Sequence, residues 1–332
     1  MPPFVTARLL SLLCRRAVGA VVVVVLLALG GGYAWYRWLE ASAAALSQQE
    51  ELLQRAMDQD TPLGYRQVVQ SSQGLLRRGK ANDFIRQMAT YAATILAIEH
   101  QDSDMLPLAR KLLSQQQQDA AHDLEGQQGY LSAARILMAY GDGDLTEGLA
   151  LAESMHSVAA GFVMAKLEGL RLMVAAHLDP SKITAVAQAL ADDVGHEVRA
   201  LHYLGTWQLF LGNTAQAEQY LRRALAGSPN HPQALLGLQW VHLCALHPTA
   251  ENVWRAHKQV GEILRLPPLA LTPPIRATAL LVRALALELE GEAPQAERDR
   301  AEALQLDPGN LLHEGRRDGA ERFERRLDAQ PL

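Results

Sequence analysis

The stretch Val198–Pro229 constrains this chain more than any other. Two segments with apolar residues at helical spacing flank Gly212-Asn213, a pair suited to ending one helix and turning into the next. Leu201 and Leu204 on the first segment and Leu221 on the second are placed to fill the seam of a helix hairpin. Gly205, Ala217 and Ala224 are small enough to let the two helices approach closely, and Pro229 stops the second. Such a hairpin cannot bury its remaining apolar face alone, so it requires neighbours on both sides. The pattern predicts a stack of helix pairs.

The order Leu201, Leu204, Gly205, Ala217, Leu221, Ala224, Pro229 resembles the tetratricopeptide repeat, a helix–turn–helix unit of about 34 residues. Pro232–Pro268 reads as a second copy, with Ala234, Leu235 and Leu238 on its first helix and Ala256, Val260 and Ile263 on its second. Gln239 stands there beside Leu238 in place of a small residue, and His247-Pro248-Thr249 lengthens the turn. Ala277–Pro308 is a third copy, carrying Leu280, Ala284, Gly291, Ala296 and Ala303 in register. Arg283 and Arg300 occupy places the family makes apolar, so this copy is expected to be a loosely packed end of the stack. The repeats are bounded at 198–231, 232–268 and 277–310. Over Leu63–His196 helix-length segments alternate with breakers such as Gly79-Lys80, Gly141-Asp142-Gly143 and Asp179-Pro180, without the signature residues. The resemblance implies an all-α, helix–turn–helix solenoid.

Composition agrees with that fold class. Apolar residues make up 49% of the chain, enough for a core, and aromatics only 5%. The net charge of −5 carries no basic footprint of a nucleic-acid binder. Cys14 and Cys244 are the two cysteines, and they form neither a disulfide framework nor a CxxC pair.

Ala17–Tyr36 holds no charged residue, and about 20 residues at helical rise span the ~30 Å hydrocarbon layer. Arg8, Arg15 and Arg16 precede it, and Tyr33, Trp35, Tyr36 and Trp38 follow as an aromatic belt. The segment reads as a transmembrane anchor with the N-terminus in the cytoplasm. A cleavable signal peptide ending near Ala41-Ser42-Ala43 is the alternative, and either way the body crosses the membrane. The expected organisation is a cytoplasmic tail over 1–16, a single transmembrane helix over 17–36, and a helical stalk over 37–61. A solenoid follows over 62–312, and a charged capping helix over 313–332.

The chain carries no recognisable catalytic or metal-binding motif. His242 and His247 are five apart and His196 and His202 six, spacings that do not stack two ligands on one helix face. Asp142-Gly143-Asp144 lacks the further carboxylates of a calcium loop. No Walker loop, dinucleotide fingerprint or GxSxG elbow is present, so no catalytic, cofactor-binding or metal residues are assigned and no enzyme is expected.

The resemblance places a concave groove along the first helix of each repeat. There it would present Arg199, His202, Thr206 and Leu209, then Gln233, Leu236, Trp240 and Leu243, then Leu281, Leu285 and Glu288. The apolar members form a trough suited to an amphipathic helix or peptide, with Trp240 the leading hot spot, unless they are core. These readings converge on a non-catalytic, membrane-spanning scaffold of a bacterial envelope assembly, of the secretion, polysaccharide-export or pilus type. Its solenoid would lie in the periplasm and its partners would be proteins. A membrane-anchored holdase for an unfolded client, as in cytochrome maturation, is the alternative.

Overall fold

The computed structural model describes residues 35, 37, 40–119, 129–156, 163–245 and 248–312. The expected membrane span at 17–36, apart from Trp35, and the expected cap at 313–332 lie outside them, as do Cys14 and His247. Among the described residues no helix is long and apolar enough to cross a membrane. The chain divides into two compact units, Met1–Leu52 and Leu53–Leu332. In the first, the described residues from 40 onward are helical and belong to α1, which runs over 40–58. The second holds the end of α1 and all that follows. It opens ahead of Pro62 because Leu53, Ala56 and Met57 are buried in it, so the last turns of the expected stalk are core.

Among the described residues the secondary structure is all helical, with no strand. After α1 come α2 (Pro62–Arg77), α3 (Asp83–Ile98), α4 (Leu106–Asp119), α5 (Gly129–Asp142), α6 (Leu145–His156) and α7 (Val163–Ala175). Then follow α8 (Pro180–Asp193), α9 (Val198–Phe210), α10 (Thr214–Gly227), α11 (Pro232–Leu243), α12 (Ala250–Ile263), α13 (Pro273–Leu289) and α14 (Ala293–Leu306).

Local chemistry sets many of these boundaries. Thr61, Asn82 and Thr249 cap α2, α3 and α12 by accepting the amides of Gly64, Ile85 and Asn252. Gly212 ends α9 at φ +80°, a conformation that favours glycine. The Asn213 amide then reaches back to the Gln208 carbonyl at 2.8 Å, and the Gly212 amide to Leu209 at 3.0 Å. Gly291 repeats this turn between α13 and α14 at φ +82°, which gives the first and third copies the same hairpin.

The odd-numbered helices from α3 to α13 pack successively on one another, and the even-numbered helices form a second row outside them. Close approach within a hairpin depends on small residues. A Cβ on Gly205 would come within 2.7 Å of Leu221 Cγ and 3.4 Å of the Ala217 carbonyl oxygen. Ala217, Leu221 and Ala224 have no exposed surface, and one apolar cluster runs from Leu167 on α7 to Leu312. The third copy is not the loosely packed end expected from its arginines. Arg283 donates to both carboxylate oxygens of Asp299, at 2.6 and 2.8 Å, while Ala296 and Ala303 remain buried.

Contacts between distant repeats bend the inner row back on itself. Nδ1 of His100, just after α3, lies 3.2 Å from Thr272 Oγ1 at the start of α13, and the Gln101 side chain reaches the Leu306 carbonyl at 3.2 Å. Ser228 Oγ donates to the Gln59 carbonyl at 3.1 Å. A solenoid joined only between nearest neighbours has no such contacts.

Candidate functional site

The predicted trough is filled. Leu209, Leu236, Trp240, Leu243, Leu281 and Leu285 all belong to the apolar cluster, and Trp240 is only 6% exposed. These positions on α9, α11 and α13 form the seam by which the inner helices pack on each other, so they are not free for a partner helix. The polar members of the predicted groove behave differently. His202 and Thr206, with Arg199 and Gln233, line a half-enclosed cavity of about 350 Å³. Behind that cavity lies a buried polar core.

Asp60, in the short loop before α2, anchors one side of the core. It is 6% exposed and has φ +48°, a conformation rare for a residue with a Cβ and costing about 1–3 kcal/mol. Its carboxylate holds it there by accepting from the Tyr65 hydroxyl, from Arg199 Nη1 at 3.3 Å and from His231 Nε2 at 2.9 Å. Burial raises the Asp60 carboxyl, but the His231 hydrogen bond and the charge of Arg199 outweigh it and hold the group well below the usual carboxylate range.

Arg199, on the first turn of α9, is the hub. Its Nε donates to the Tyr91 hydroxyl at 3.0 Å, its Nη1 to Glu99 Oε2 at 3.0 Å and its Nη2 to Glu168 Oε1 at 2.8 Å. Tyr91 donates in turn to Glu168 Oε1 at 2.5 Å. Arg171 on α7 completes the network by donating to Glu168 Oε2 at 3.2 Å and to Glu99, with its guanidinium 5.5 Å from the centre of the Tyr203 ring. Burial raises the Glu99 carboxyl, but Arg171 and Arg199 bring it down to about 2. Burial lowers His100 to about 4, and burial together with His231 lowers His202 to about 3, so both rings are neutral at pH 7.

Two chemistries suggest themselves from this geometry. Asp60, His202 and His231 each offer a ligand atom, all within 4.8 Å of one another. The set does not fit a metal. His231 Nδ1 accepts the Ala234 amide at 3.0 Å as the cap of α11, so its Nε2 carries the proton donated to Asp60 and has no lone pair to give. The Arg199 guanidinium beside Asp60 would also repel a cation. The second chemistry is a row of Thr206, His202 and Asp60. Thr206 Oγ1 lies 3.4 Å from His202 Nε2, and His202 Nδ1 lies 3.9 Å from Asp60 Oδ2. Both spacings are long, Thr206 also reaches the His202 carbonyl one turn back at 3.2 Å, and a ring held near 3 is a poor base at neutral pH.

Sequence reasoning missed Asp60, Glu99, Glu168 and Arg171. Glu168 carried a signal, since it interrupts the run Leu167, Gly169, Leu170 in the middle of a buried helix. A carboxylate at such a position requires a buried partner.

No family model matches the chain, and no curated protein matches it. Several solved structures do. MamA is 16% identical, with a TM-score of 0.37 over 52% of this chain and 94% of its own. YrrB, described as a tetratricopeptide-repeat protein with an unusual peptide-binding site, is 13% identical, with a TM-score of 0.36 over 59% and 94%. A chain of the Cut9–Hcn1 hetero-tetramer of the APC/C is 14% identical, with a TM-score of 0.51 over 83% of this chain and 56% of its own. Helix pairs in two rows, the hairpins at Gly212 and Gly291, and the Gly205–Leu221 approach give this chain the fold of a tetratricopeptide-repeat-type α-solenoid.

Proposed function

We propose that the chain is a non-catalytic protein–protein interaction scaffold of a bacterial envelope assembly. In this reading an N-terminal span over 17–36 holds it in the inner membrane, with its tail in the cytoplasm and its solenoid in the periplasm. The observation that carries the binding role is the cavity, to which α7, α9, α11 and α13 all contribute side chains on the inner row of the solenoid. The titratable groups behind it are spent on one another, which suits a rigid receptor more than a reacting centre. The holdase alternative needs a broad apolar groove, and burial of Leu236, Trp240, Leu281 and Leu285 speaks against one along these positions.

Affinity purification from native membranes tests the reading. The wild-type chain should retain a defined set of folded proteins, and Gln233→Trp, which fills the cavity wall, should lose at least one of them. Equal recovery with both baits, or recovery of unfolded clients alone, would refute it. A C-terminal alkaline phosphatase fusion should be active, and an inactive fusion alongside a bright cytoplasmic fluorescent one would move the solenoid to the other side of the membrane.

A further inference from the structure

The outer row carries a second opening, apart from the cavity and the polar core behind it. Between α2 and α4, which both pack on α3, lies a groove of about 610 Å³. Leu76 and Arg77 line it from α2, Arg86 from α3, and Leu108, Lys111 and Leu112 from α4. Leu76 and Leu108 are partly exposed, so the groove shows apolar surface as well as charge. None of the residues that line it is a carboxylate. α2 has no acid along its length, and α4 has none before Asp119 at its last position. In a chain of net charge −5 this surface carries the opposite sign. Arg77 and Lys111 are exposed, and among the described residues neither is paired with a carboxylate. Arg77 Nε donates to the Gln73 carbonyl at 3.4 Å, and Arg86 has Asp83 at 3.7 Å. Arg77 lies at the C-terminal end of α2, where a cation is favoured by the backbone carbonyls. Lys111 lies in the middle of α4 and Arg86 in the first turn of α3, where a cation is disfavoured, so helix ends do not account for the cluster.

We propose that this groove docks an acidic amphipathic helix of a partner protein. Its carboxylates meet Arg77 on α2 and Lys111 on α4, Arg86 adds to the positive field, and its apolar face covers Leu76 and Leu108. Charge complementarity selects this occupant. A basic helix would meet three cations, and a neutral one would leave Arg77 and Lys111 without counter-charge. The mixed lining favours a helix with two faces over a small anion, which would leave the leucines uncovered. The proposal rests on the scaffold reading only for the class of partner, a protein. It needs neither the membrane span nor the inner cavity.

Fluorescence anisotropy with the full-length protein in detergent tests this. The probe is a dye-labelled peptide of two Leu-Glu-Glu-Leu-Leu-Glu-Glu heptads, with a counterpart carrying Gln for every Glu. The glutamate peptide should bind saturably, and the glutamine peptide about tenfold more weakly or less. Lys111→Glu and Arg77→Glu, both at exposed positions, should each weaken the glutamate peptide about tenfold or more. Arg222→Glu, on α10 away from the groove, should leave its binding unchanged. No saturable binding of the glutamate peptide, equal binding of the two peptides, or an equal loss with Arg222→Glu overturns the proposal. Tighter binding of inorganic polyphosphate than of the peptide also overturns it and assigns the groove to phosphate-bearing ligands. Binding that appears only with Asp123→Asn and Glu125→Gln in place gives the groove to the chain's own acidic stretch, which overturns it as well. The scaffold reading is judged separately, by its purification experiment with Gln233→Trp.

Discussion

Arg199→Met is the most informative single change. Methionine keeps the length and much of the volume of the side chain but removes the donors and the charge. Glu99 and Glu168, whose side chains are 14 and 1% exposed, would then be left with Arg171, and Asp60, 4% exposed, would lose the guanidinium paired with it. Asp60 would keep Tyr65 and His231, and Glu168 would keep Tyr91, so the loss is severe but not total. Removing one member of a buried ion pair costs about 3–5 kcal/mol. In a fold of this size that corresponds to a fall in melting temperature of roughly 10 °C. Circular dichroism melts of wild type and variant at pH 7.5 and pH 4.5 provide the assay. The orphaned carboxylates of the variant would take up protons as the pH falls, while the wild-type carboxyls resist, so the deficit should shrink in acid. A deficit below about 1 kcal/mol, or one independent of pH, would refute the reasoning that these charges hold one another.

Other expectations follow from the same interior. Asp60 and Glu99 are depressed in the fold, so the stability they contribute is present above the unfolded carboxylate range and is lost as pH falls through it towards about 2 for Glu99. His100 and His202 are depressed too, and the unfolded chain takes up their protons first, so stability should already decline as pH falls below the ordinary histidine value of 6.5. A pH series of melts on His100→Gln should show a shallower decline between 6.5 and 4 than wild type, and an unchanged slope would contradict the assignment. Trp240→Ala should cost about 3–5 kcal/mol because the indole is core, and a melt close to wild type would reopen it as a binding residue. Ala217→Leu should overpack the approach to Gly205 and cost about 1–3 kcal/mol; no loss would count against that crossing.

What the sequence disclosed was local. Gly212, Gly205, Ala217 and Leu221 lie within one hairpin, where their spacing alone sets both the turn and the close approach. The buried polar core is not local. Arg199 reaches residues on the loop before α2, on and just after α3, and on α7, so no window of sequence places these three carboxylates and one hydroxyl together. The trough was misread for a related reason. A helix position that faces a neighbour along the row and one that faces the concave side differ by a single step around the helix, and both can carry leucine. Thr206 and Leu209, separated by less than one turn, fall on opposite sides of that division.

That division bears on how the scaffold would bind. In an open solenoid the inner helices offer their groove to a partner, yet here the Asp60 loop occupies part of it. Its carboxylate receives Arg199 and His231, and its neighbour's carbonyl receives Ser228, as the groove would receive a bound peptide. The strain at Asp60 is tolerated because three donors fix it, so this occupant is held firmly. Among the described residues, the cavity between α7, α9, α11 and α13 is a part of the inner surface that this arrangement leaves open. In the scaffold reading proposed above, a partner on that surface would engage a compact polar receptor rather than a long apolar trough, with affinity resting on a few directed contacts.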